Sequence, residues 1–82
     1  MNAIGIDVSK GKSTVAVIRP FGEIVKMPFD VAHTSKELAE LADFILSLEG
    51  ESRVVLENTG KYSEPVVNSL YKAGIFICPE SL

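Results

Sequence analysis

The 82-residue sequence has one cysteine, no long apolar run and no basic segment. A single cysteine excludes an internal disulfide and a cysteine-rich zinc site. No apolar run approaches the ~18–20 residues of a membrane-spanning helix, and we expect a cytoplasmic protein. The net charge is −3, with both signs spread along the chain. Because a free-standing nucleic-acid binder usually carries a face rich in Lys and Arg, contact with DNA or RNA would need a local patch, a bound metal or further chain.

The hydrophobic content of 46% is ordinary for a globular protein and argues against disorder. A chain of 82 residues is long enough for one domain at most. In its first third, alternating apolar residues predict strands over 3–8, 13–19 and 23–29, separated by the short turns 9–12 and 20–22. Short turns between strands predict an antiparallel meander.

Over 34–49 the spacing of the apolar residues changes from that of a strand to that of a helix. Thr34 and Glu37 form a capping box, in which Thr34 bonds the amide of residue 37 and Glu37 reaches back to the cap. Apolar residues follow at helical spacing, namely Leu38, Leu41, Ala42, Ile45 and Leu48.

The last third predicts a strand, a helix and a strand. The continuous apolar run before Glu57 is typical of a buried central strand over 53–57. Ser63 is placed to cap a second helix. The expected inner face of that helix consists of Val66, Val67, Leu70 and Tyr71. The final strand is predicted over 75–78.

The resulting order is β-β-β-α-β-α-β, an α/β fold with a mixed sheet. The helix over 34–49 acts as a crossover, so the strand over 53–57 runs parallel to a strand already in the sheet. If that strand is the first one, the sheet order is 3-2-1-4-5. This is the order of the ribonuclease H-like fold.

Two acidic residues stand where apolar strands end: Asp7 after residues 3–6 and Glu57 after residues 53–56. A carboxylate at the end of a core strand is costly unless it has a partner, a proton or a metal. In the 3-2-1-4-5 order both lie at the carboxyl ends of adjacent parallel strands, where open α/β sheets bind their ligands. Carboxylates there favour Mg²⁺ or Mn²⁺, and such sites cleave phosphodiesters with two metal ions.

The segments 5–10 (GIDVSK) and 57–62 (ENTGKY) resemble the N-terminal domain of DEDD-type transposases of the insertion-sequence-110 family, relatives of the pilin-gene-inverting recombinase Piv. The resemblance implies a metal-dependent enzyme that cleaves and transfers DNA strands, with a guide RNA in parts of the family. It implies that Asp7 and Glu57 are the first two of four acidic ligands. Further candidate contacts to nucleic acid are Lys10, Lys12, Thr59, Gly60 and Tyr62.

The last two Asp residues of the family's set have no counterpart, because only Glu64 and Glu80 follow Glu57 among the acids. The family's second domain, which carries a catalytic serine, is also absent. We therefore expect residues 1–82 to be part of a ribonuclease H-like catalytic domain, and to be inactive alone. Both a truncated gene product and a gene remnant fit this expectation.

Simpler readings of the same residues stay open. Asp7 could be a turn residue that bonds backbone amides, and Glu57 could pair with Lys61 or Arg53. Tyr62 could be a half-buried aromatic that packs on the second helix. The Gly-Ile-Asp strand also fits actin- and hexokinase-like ATPases, although the turn that follows it is a poor phosphate loop. A third possibility is a non-catalytic scaffold that self-associates as a homodimer.

Overall fold

The computed structural model describes residues 1–19, 24–57 and 60–78. Its elements alternate as the sequence predicts, with one additional 3₁₀ turn before the second helix. In chain order they are β1 (Asn2–Ser9), β2 (Lys12–Ile18), β3 (Ile24–Ala32), α1 (Ser35–Ser47), β4 (Ser52–Glu57), the 3₁₀ turn (Lys61–Ser63), α2 (Glu64–Lys72) and β5 (Ile77–Cys78). Strand β3 extends three residues beyond the predicted end at 29. Neither described helix is long and apolar enough to cross a membrane.

The five strands form one sheet in the order β3-β2-β1-β4-β5, which confirms the predicted topology. Strands β1, β2 and β3 pair antiparallel, as a meander does. Strand β4 pairs parallel to β1 on one side and to β5 on the other. The crossover through α1 therefore brings β4 next to the first strand of the chain.

The core lies on one face of the sheet. Alternate residues of β1, β2 and β4 are buried there together with the apolar residues of both helices, because side chains of a strand point to opposite faces with a period of two. The sheet contributes Ile4, Ile6, Val8, Val15, Val17, Val31, Val54 and Leu56; the helices contribute Leu38, Leu41, Ala42, Ile45, Val66 and Leu70. We call this the covered face.

The opposite side of the sheet, which we call the open face, carries the alternate residues Ala3, Gly5, Asp7, Thr14, Ala16, Ile18, Arg53, Val55 and Glu57. Ile18 is 44% exposed and Val55 is 38% exposed. The expectation of full burial for the strand over 53–57 is therefore wrong at Val55. A continuous apolar run does not reveal whether helices cover one face of the strand or both.

Helix α1 begins at the predicted cap, with Thr34 Oγ1 accepting from the Glu37 amide at 3.2 Å. The second half of the capping box is different, since Glu37 Oε1 accepts from the Ala32 amide at 3.0 Å. That bond ties the start of the helix to the end of β3.

Helix α2 departs from the sequence prediction at two positions. Ser63 does not cap it, because the 3₁₀ turn runs directly into the helix and Ser63 is already helical, with φ −77° and ψ −19°. Its hydroxyl donates to the Gly60 carbonyl at 2.9 Å instead. Tyr71 does not belong to the inner face and is 72% exposed. Val66 and Leu70 are fully buried, as expected.

A buried asparagine joins three segments of the chain at the start of β1, at the opposite end of this strand from Asp7. Asn2 is fully buried. Its side-chain Nδ2 donates to the Glu49 carbonyl at 2.8 Å and to Ser52 Oγ at 3.2 Å. Its Oδ1 accepts from Arg19 Nε at 3.1 Å, and its backbone amide donates to the Glu51 carbonyl at 2.7 Å. Asn2 thus holds the start of β4 against β1.

Replacing Asn2 with Ala should lower the free energy of unfolding by about 1–3 kcal/mol, because buried partners lose their hydrogen bonds. Urea denaturation followed by circular dichroism measures this change. Asn68→Ala, at an exposed position of α2, is the matched control and should change stability by about 0.5 kcal/mol or less. Equal effects of the two substitutions would show that the Asn2 contacts do not hold the strands together.

Candidate metal site at the carboxyl edge of the sheet

Asp7 and Glu57 are register partners in the parallel pairing of β1 with β4. Neighbouring strands lie about 4.8 Å apart, so the two residues are immediate neighbours at the carboxyl edge. Both are exposed. The structure therefore brings the two acids together as the sequence predicts, and their function as metal ligands stays a prediction.

The local sequence sets the direction of both side chains. Val8 and Leu56, each adjacent to one of the acids, are buried in the core. Because successive side chains of a strand alternate between faces, Asp7 and Glu57 lie on the open face. Exposure spares the carboxylates most of the desolvation that a buried charge would suffer.

The donor chemistry fits a hard divalent cation. Two neighbouring carboxylates provide oxygen ligands, and Mg²⁺ commonly binds through one or two carboxylates while it keeps several water molecules. Among the described residues, His, Cys, Asp and Glu side chains form no group of three or more with metal-site geometry. Within the described ranges, Asp7 and Glu57 therefore form a pair of acids and not part of a larger cluster of this kind.

The cations expected to neutralise Glu57 have other neighbours. Arg53 Nε lies 4.0 Å from Glu51 Oε1. Lys61 Nζ lies 5.4 Å from the centroid of the Tyr62 ring. Neither geometry favours the simpler reading of Glu57 as half of a surface ion pair.

The pairing extends the site across two further strands. Thr14 is the register partner of Asp7 in β2, and Asp30 is the register partner of Thr14 in β3. We call these four residues the polar row: Asp30, Thr14, Asp7 and Glu57. Thr14 Oγ1 donates to Asp30 Oδ1 at 2.9 Å, and Lys12 Nζ lies 3.6 Å from Asp30 Oδ2.

Sequence reasoning missed Thr14 and Asp30. The predicted third strand ended at residue 29, so Asp30 fell outside the sheet. Counting the hairpin register outward from the turn at Lys10 and Gly11 would have placed Thr14 opposite Asp7.

The candidate nucleic-acid contacts lie around the same edge. Lys10 is exposed in the β1–β2 turn, and Lys12 follows it at the start of β2. Tyr62 is 40% exposed in the 3₁₀ turn that follows Glu57. This exposure leaves part of the Tyr62 ring accessible for a contact with nucleic acid.

Gly60 and Thr59 complete the predicted set. Gly60 precedes the 3₁₀ turn, with φ 15° and ψ −159°. Thr59 lies outside the described residues. The function of both in binding nucleic acid stays a prediction.

Comparison with solved structures identifies the fold. The structure of RuvC from Thermus thermophilus matches with a TM-score of 0.66 and 18% sequence identity, over 96% of this chain and 60% of the RuvC chain. This likeness confirms a ribonuclease H-like fold, and the chain spans only 60% of the RuvC length.

Sequence comparison identifies the family. No curated protein matches the chain. The family model of DEDD transposases of the insertion-sequence-110 type, described as a transposase, matches residues 4–80. That range includes both strand-end acids and nearly the whole sequence, and it confirms the resemblance seen in the two motifs. The chain therefore belongs to the DEDD transposase family of insertion sequence 110.

Proposed function

We propose that this chain is the first part of a catalytic domain that cleaves and transfers DNA strands with a divalent metal ion. The observation that carries the proposal is the register pairing of Asp7 with Glu57 in a member of a transposase family. Mg²⁺ or Mn²⁺ is the proposed ion because both ligands are carboxylates. The family match also favours a transposase over an actin- or hexokinase-like ATPase.

Bound there, the metal ion would act as a Lewis acid on a phosphodiester and help generate the attacking nucleophile. Asp7 and Glu57 would hold it at the open edge of two parallel strands. Lys10 in the adjacent turn and Lys12 at the start of β2 would contact the DNA backbone, since ammonium groups neutralise phosphates. Tyr62 would stack on an unpaired base. These residues bind and orient the substrate.

The chain on its own is proposed to be inactive. Family resemblance implies two further acidic ligands, and the chain spans 60% of the RuvC structure that it matches. Two carboxylates without the remaining ligands would bind the metal weakly and leave it poorly positioned. Residues 1–82 are thus proposed to be a partial catalytic domain of a cytoplasmic DNA transposase.

Titration with Mn²⁺ tests the metal site without any need for activity. In proton–nitrogen correlation spectra, the paramagnetic ion should broaden the amide signals of residues 7 and 57 first. Asp7→Asn and Glu57→Gln should each weaken binding by about ten-fold or more. Asp43→Asn, at an exposed carboxylate of α1, is the control and should leave the broadening unchanged. Broadening that is equally strong in the Asp7 and Glu57 variants would contradict the site.

Strand cleavage tests the catalytic function in a longer transposase that contains this segment. Asp7→Asn and Glu57→Gln should each lower the cleavage rate about 10²–10³-fold, because metal-based stabilisation of the transition state is lost. The Asp43→Asn variant should keep the normal rate. Cleavage that is normal in either site variant would refute the assignment.

We further propose that the isolated chain forms a weak homodimer through the open face. Ile18 and Val55 are exposed there, and apolar surface of this kind favours association. Light scattering at increasing concentration should show a rise in mass, which Val55→Lys abolishes. Leu46→Lys, at an exposed position of α1, is the control. A monomer at all concentrations would refute the dimer.

A further inference from the structure

Lys12 lies between two carboxylates on the open face of the sheet. It stands two residues before Thr14, which is directly opposite Asp7 on one side and Asp30 on the other. Lys12 is therefore a diagonal neighbour of both acids, at roughly 7–8 Å between backbones. A lysine side chain can span this distance in either direction.

The structure shows Lys12 paired with Asp30. Its Nζ lies 3.6 Å from Asp30 Oδ2, while Thr14 Oγ1 donates to Asp30 Oδ1 at 2.9 Å. Both oxygens of Asp30 are thus engaged by strand β2. The Thr14 hydrogen bond fixes the orientation of the carboxylate that receives the ammonium group.

This pair is exposed, with 60% of the Lys12 side chain and 59% of the Asp30 side chain accessible to solvent. Exposed ion pairs are weak and exchange partners readily. Without Asp30, the neighbouring carboxylate within reach of Lys12 on the polar row is Asp7. An ammonium group at Asp7 would repel a divalent cation from the Asp7–Glu57 pair.

We propose that Asp30 is a positioning residue that holds Lys12 away from Asp7 and so maintains the affinity of the Asp7–Glu57 pair for a divalent cation. The part that concerns the cation rests on the proposed function. The part that concerns Lys12 rests only on the pairing of the three strands and on the contacts of Asp30 with Lys12 and Thr14.

Zero-length cross-linking with a carbodiimide tests the placement of Lys12. The reagent joins an amine to a carboxylate in contact with it, with loss of water, and mass spectrometry of peptides locates the bond. The unchanged chain should give a Lys12–Asp30 link. Asp30→Asn should give a Lys12–Asp7 link, whereas Asp43→Asn should keep the original pattern. An Asp30→Asn chain without the Lys12–Asp7 link would overturn the proposal.

Mn²⁺ affinity, measured from the paramagnetic resonance of the free ion, tests the consequence for the metal. Asp30→Asn should weaken binding about two- to five-fold, in the range of an exposed charge interaction. In the Asp30→Asn variant, the second substitution Lys12→Met should restore the affinity for Mn²⁺ to within about two-fold of that of the unchanged chain. Adding Lys36→Met instead removes an equal charge from the first turn of α1 and should restore little. Equal restoration by the two lysine substitutions would overturn the proposal.

The two measurements separate this inference from the proposed function. If the unchanged chain takes up no Mn²⁺, the proposed metal site fails. The cross-link pattern then decides alone whether Asp30 holds Lys12: transfer of the link to Asp7 supports it, and the absence of transfer refutes it.

Discussion

The parallel pairing of β1 with β4 is the constraint on which the rest of the site depends. Asn2 lies opposite Ser52 at one end of this pairing, and Asp7 lies opposite Glu57 at the other. A slip of one residue would turn Glu57 toward the core, and a slip of two would separate the acids by a further ~7 Å along the strand. The buried bonds of Asn2 fix the register at the end remote from the acids, so a structural side chain determines where the carboxylates meet.

The one-sided arrangement of helices explains how the sheet tolerates this pair. The covered face provides the apolar burial that stabilises the domain, while the open face leaves Asp7 and Glu57 in contact with water. Like charges directly opposite each other still cost some stability. A bound divalent cation would offset that repulsion. Under the proposed function, repulsion between Asp7 and Glu57 lowers the stability of the sheet, and a bound cation restores it.

Much of this could be predicted from the sequence, since period-two alternation identifies the faces of β1 and β2 and a helical crossover requires a parallel neighbour for β4. The remaining features depend on contacts distant in sequence. Burial of Asn2 arises from partners 17 to 50 residues away. Exposure of Val55 depends on which face the helices cover. The place of Asp30 in the polar row depends on where β3 ends and on register shifts near Val17 that no local pattern reveals.

We infer that the β1–β4 pairing builds a divalent cation site from Asp7 and Glu57. Its most direct test is a crystal of the chain soaked in Mn²⁺, with diffraction data collected at the manganese absorption edge. We expect an anomalous difference peak within coordination distance of a carboxylate oxygen from each of the two residues. Manganese peaks found only at other carboxylates, with no density between Asp7 and Glu57, would contradict it.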